Sequence, residues 1–111
     1  MIEMYICKEC DSENSSICCD EIVLVEKINR DVNVTLSTGV TITLKRKSIK
    51  EIMTGLTENE FEMIHSGAIV NLRYVQGCEN DRVKVNNQIL FLSRRHKKAF
   101  KEALIEYIKK G

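Results

Sequence analysis

Proline and tryptophan are both missing from the 111 residues, and glycine is limited to five. No Gly/Ser-rich stretch, low-complexity tract or internal repeat interrupts the chain, so no linker or domain boundary is placed. No apolar run approaches the roughly 18–20 residues that a membrane-spanning helix needs, so direct membrane insertion is not expected. Glu3 and Glu9 stand where a secretion signal would be basic, and the apolar run beside them is too short for one. The expectation is a single cytoplasmic domain over residues 1–111, long enough to bury a core but without length for a receiver or sensor module.

Catalytic signatures are equally scarce. There is no glycine-rich phosphate loop, no metalloprotease box and no convincing carboxylate pair, so neither an enzyme nor a cofactor is expected. Five cysteines are present, four of them (Cys7, Cys10, Cys18, Cys19) within the first nineteen residues and the fifth at Cys78. Cys7-x-x-Cys10 has the spacing of half a zinc knuckle, but adjacent Cys18-Cys19 lacks the gap that the other half requires. Alternation along a strand would also send those two to opposite faces. Free thiols rather than metal ligands are expected, and no spacing pairs a cysteine with His65 or His96 as a nucleophile.

What the chain does have is segregated charge. The net charge is only +1. Residues 1–26, however, hold seven acidic residues against Lys8, a balance of −6, whereas residues 82–111 hold nine basic residues against Glu102 and Glu106, a balance of +7. One end is therefore electropositive, as a polyanion-binding surface would be.

Periodicity predicts mostly β structure. Met4–Glu9 and Ile17–Val25 flank a polar Asp-Ser-Glu-Asn-Ser-Ser turn and read as an acidic, cysteine-rich N-terminal hairpin. Val32, Val34 and Leu36, then Val40, Ile42 and Leu44, alternate with polar residues on either side of Ser37-Thr38-Gly39, the signal of a half-buried hairpin. Ser48 with Glu51 forms a capping box ahead of Ile49, Ile52, Met53 and Leu56, which predicts a short helix. Thr57 with Glu60 repeats the box and predicts one more turn. Strands follow over Tyr74–Glu79, Arg82–Val85 and Gln88–Leu92, the last two joined across Asn86-Asn87. Ser93 then starts a final helix with the apolar stripe Phe100, Ala103, Leu104, Tyr107 and Ile108.

Two basic runs sit at helix starts: Lys45-Arg46-Lys47 before Ser48, and Arg94-Arg95-His96-Lys97-Lys98 after Ser93. Cations at the positive end of a helix dipole cost a few tenths of a kcal/mol each, roughly. A bound phosphate would compensate, because the free N–H groups there already favour an anion.

Two blocks carry a family resemblance: FEMIHSGAIVNLRYV, residues 61–75, and LFLSRRHKKAFKEAL, residues 90–104. They resemble the signature blocks of the LytTR DNA-binding domain of bacterial transcription regulators, and the likeness extends from about Met4 to the end. It implies an elongated arrangement of small antiparallel sheets with short helices and a C-terminal helix. It also implies that loops, rather than a recognition helix, enter successive major grooves of double-stranded DNA. The residues this places on DNA are Arg94, Ser66 after the family's histidine, and Asn29 and Arg30 in the loop Lys27–Asp31. Lys45, Lys47, Arg95, Lys97 and Lys98 are expected on phosphates. His65 reads equally as a DNA contact or as a turn histidine bonded to the backbone, and Asn71 as structural.

Ser66 and Ala68 depart from the family pattern, standing where a basic or amide residue and an aromatic are usual. Ser66 offers a single hydroxyl, so weaker readout is expected there, and Gly67 with Ala68 suggests a loosened turn. The resemblance further implies binding to imperfect direct repeats as two copies, and control by a membrane-protein partner or another regulator. The alternative is a protein that keeps the fold but titrates a partner regulator with little specific DNA binding.

Overall fold

The computed structural model describes residues 6–7, 17–56 and 60–110. Hydrophobic alternation builds a five-stranded antiparallel sheet from β3 (Ile22–Ile28), β4 (Asp31–Leu36), β5 (Thr41–Lys45), β6 (Phe61–His65) and β7 (Ala68–Asn71), in the order β5-β4-β3-β7-β6. β8 (Val75–Glu79), β9 (Arg82–Val85) and β10 (Gln88–Phe91) form a separate three-stranded antiparallel meander. Two helices complete the domain, α1 (Ile49–Thr54) and α2 (Arg94–Lys110). The molecule measures 41 × 33 × 24 Å along its principal axes, the elongated arrangement of small sheets that the resemblance implies.

Because successive side chains on a strand point to opposite faces, the five-stranded sheet buries apolar residues on both sides. Val25, Val32, Val34, Phe61 and Ile69 pack with Ile49, Ile52 and Leu56 around α1. Leu24, Ile64, Ala68 and Val70 pack with Val83, Val85, Leu92 and Phe100 under the meander and α2. The central strands are therefore covered on both faces, which explains why Ile22–Val25 reads as a continuous apolar run. Asn71, the one buried polar residue among those described, donates from Nδ2 to the Ile22 carbonyl (2.8 Å) and accepts from the Arg73 N–H (2.9 Å). It caps the short 3-10 turn Leu72–Tyr74, the structural role expected of it.

Local chemistry fixes the connections. Ser48 Oγ accepts the Glu51 N–H at 3.1 Å, capping α1 as the box predicts. The β4–β5 turn needs a residue at φ +93°, which Gly39 supplies without steric cost. Asn86 and Asn87 both take positive φ, the requirement of a two-residue I′ hairpin, between β9 and β10.

Four expectations are corrected. Ile6–Cys7 (β1) pairs with Ile17–Cys18 (β2) in parallel rather than as a hairpin, and Ile22–Ile28 pairs instead with β4 and β7, where it buries two faces; the polar turn between β1 and β2 lies outside the described residues. Phe61 begins a strand rather than a helical turn, because Phe61–His65 pairs with β7; residues 57–59 lie outside the described residues. The Lys27–Asp31 loop is shorter than expected, since β3 runs to Ile28 and β4 starts at Asp31. On α2, Phe100 is fully buried and Ala103, Leu104 and Tyr107 pack on the core, but Ile108, next to Tyr107, is exposed.

Candidate nucleic-acid interface

Strand register gathers the predicted residues at one end of the five-stranded sheet. Asp31 pairs with Lys45, so the β3–β4 turn (Asn29, Arg30) and the end of β5 lie side by side. Glu26 pairs with Ala68, and the Lys27 N–H donates to the Gly67 carbonyl at 2.8 Å, so the β6–β7 turn (Ser66, Gly67) is next in the row. The Ser93 N–H donates to the Ile64 carbonyl at 2.8 Å, which sets the start of α2 against the same end of β6. At about 4.8 Å per strand, the two turns are centred roughly 10 Å apart, about three base-pair steps.

The β6–β7 turn is tied rather than loosened. His65 Nδ1 accepts the Gly67 N–H at 3.1 Å, which in the neutral ring leaves the proton on Nε2 as a donor. The His65 ring lies 6.3 Å from that of Phe91 at a 36° tilt. Backbone bonding and contact with a ligand are thus compatible at this histidine. His65, Ser66, Phe91, Ser93, Arg95 and His96 line one open pocket of about 430 Å³. Ser93 Oγ and His96 Nδ1 are 2.8 Å apart, joining the helix start to its first turn.

Of the expected DNA residues, His65, Ser66 and Arg95 come together in this pocket. Arg94 and Lys98 are exposed on the first two turns of α2, and Lys97 is half-buried there. Asn29 is in the left-handed conformation at φ +59°, and Arg30 is exposed beside it. Lys45 and Lys47 stand at the far end of the row and are internally paired, Lys45 with Asp31 at 3.0 Å and Lys47 with Glu51 at 3.9 Å. Arg46 between them has no ion pair among the described residues. It also adopts φ +57°, where the other described non-glycine residues at positive φ are all asparagines.

Phe91, His96 and Arg46 were not among the expected contacts. Leu90-Phe91-Leu92 reads as an apolar run, and only the pairing of β10 with β9 shows that Phe91 turns outward. Among the described residues no group of three or more His, Cys, Asp or Glu side chains could hold a metal, and no helix is long and apolar enough to cross a membrane. The surface thus offers guanidinium, ammonium, amide and hydroxyl donors in a row, suited to an extended polyanion.

Residues 13–105 match the family profile of the LytTr DNA-binding domain. The chain belongs to the LytTR family. It is a DNA-binding domain of the kind found in transcription regulators. The LytTr DNA-binding domain from Bacillus cereus, whose parent protein is described as a methyl-accepting/DNA response regulator, has a similar structure with a TM-score of 0.72. The two share 19% identity, with 79% of this chain and 84% of that chain covered, so the likeness extends to the fold. No curated protein matches this LytTR chain.

Proposed function

We propose that this LytTR domain binds double-stranded DNA sequence-specifically, presenting the β3–β4 turn, the β6–β7 turn and the start of α2 in a row to the major-groove face of the duplex. The alignment of these three segments at one end of the sheet is the observation that carries the reading. Arg94 reads guanine O6 and N7, and Asn29 and Arg30 read bases from the β3–β4 turn. Arg95, Lys97 and Lys98 hold phosphates, and His65 donates from Nε2 at the same groove edge. Lys45 and Lys47 contribute at the outer end of the row once their carboxylate partners yield; Arg46, which has no ion pair among the described residues, does so without that competition. Two copies would occupy a pair of direct repeats, with a membrane protein or another regulator as antagonist.

Titration of the protein against its own operon promoter and a scrambled duplex tests this. Arg94→Ala should cost about 1–3 kcal/mol on the promoter and much less on the scrambled duplex, whereas Lys98→Ala should weaken both about equally. Equal losses for Arg94→Ala on both duplexes would show that it positions rather than reads. A second reading, a LytTR fold that titrates a partner regulator, draws on Ser66, whose single hydroxyl replaces a long donor. Specific retention of a partner regulator together with no promoter preference would establish it.

A further inference from the structure

Ile28 is the last residue of β3, flanked by Lys27 and the Asn29-Arg30 turn, and it is 48% exposed. An isolated exposed isoleucine on a protein surface is ordinary. Its placement here is not arbitrary, as three observations show. Alternation puts Ile28 on the same sheet face as Leu24, which packs in the core under α2 and the meander, so Ile28 stands on the side of the sheet where Arg95 and the histidine-lined pocket lie. The Lys27–Gly67 hydrogen bond fixes its strand directly beside the β6–β7 turn. Its immediate neighbours Lys27, Asn29 and Arg30 are exposed and carry no ion pair among the described residues, so the apolar side chain sits within the polyanion-binding row.

A short apolar side chain surrounded by groove-reaching donors meets one apolar group in the major groove, the C5-methyl of thymine. From this juxtaposition we infer that Ile28 is a specificity-determining residue that selects thymine by packing on its methyl group, next to the bases read by Asn29 and Arg30. The inference rests on the proposal that the β3–β4 turn enters the major groove. It also gives this chain a source of base discrimination that compensates for Ser66, since a methyl contact needs no hydrogen-bond donor.

Replacing thymine by deoxyuridine in the promoter duplex removes only the methyl and leaves every hydrogen-bonding edge in place. Wild type should bind the substituted promoter about fourfold more weakly, the loss that corresponds to one buried methyl-sized group. Ile28→Ala should lose a similar factor on the natural promoter and little more on the deoxyuridine duplex. Ile28→Val should behave nearly as wild type, because it keeps a branched methyl at the contact. Ile28 is exposed, so circular dichroism should show both variants folded. If deoxyuridine costs wild type and Ile28→Ala the same factor, the methyl is read elsewhere and the inference fails while the DNA-binding reading stands. Wild type that does not distinguish promoter from scrambled duplex overturns both.

Discussion

Ser66 in the β6–β7 turn and Glu62 toward the other end of β6 carry separate consequences. Ser66 is exposed and lines the pocket with Arg95. Ser66→Arg should restore a bidentate donor and tighten promoter binding by about 1 kcal/mol or more, with a smaller gain on scrambled DNA. An identical gain on both duplexes would count against groove insertion by this turn. Glu62, on β6 opposite Val70, is half-buried, and burial raises its carboxyl pKa above the ordinary 4.5. The folded state therefore holds this proton more tightly than the unfolded chain, and its contribution to stability is present below 4.5 and lost as pH rises through the raised value. Glu62→Gln should flatten that decline and raise stability at neutral pH, measurable as urea midpoints across a pH series; an unchanged pH profile would refute the desolvation account.

At the scale of elements, α2 combines two demands that conflict. Its inner face, Phe100 with Ala103, Leu104 and Tyr107, anchors the helix on the sheet and the meander. Its first turn has no acidic residue and begins Arg94-Arg95-His96-Lys97-Lys98, cations at the positive end of the dipole. Arg95→Glu should stabilise the free protein by about 0.3–1 kcal/mol in thermal unfolding at low salt, while sharply reducing affinity for DNA. Loss of stability in this variant would show that Arg95 serves the fold rather than an anion. The second block was thus legible in sequence as a helix with a misplaced charge pattern, but its position was not. The packing of Phe100 and the Ser93–Ile64 backbone hydrogen bond together place that charge beside the β6–β7 turn some thirty residues earlier.

For the whole molecule, net charge is a poor guide to the partner. The +1 total conceals a basic row along one end of the sheet, and phosphate contacts respond to that local arrangement. With about five or six phosphates engaged, log affinity should fall with log salt at a slope of roughly −4 to −5, read by fluorescence anisotropy at several salt concentrations. A slope near zero would remove the electrostatic basis of binding. Because Lys45 and Lys47 are internally paired, Arg46→Ala should reduce the slope's magnitude more than Lys45→Ala does.

The sequence by itself determined the β4–β5 and β9–β10 hairpins, the capping of α1, the final helix and family membership, because these depend on short-range periodicity, turn chemistry and contiguous motif residues. The β4–β5 hairpin follows from alternation around Gly39, and the β9–β10 hairpin from two asparagines that tolerate positive φ. Tertiary structure decided which strands became neighbours, and with them the site. Ile22–Ile28 has the same composition whether it pairs with the N-terminal segment or with β4 and β7; burial of both its faces between two cores selects the latter. That choice brings the β3–β4 turn beside Gly67, neutralises Lys45 with Asp31, and leaves Ile28 and Arg46 exposed in the row. Such relations join residues far apart in the chain, where pairing is set by the total apolar surface buried, a quantity no local pattern contains.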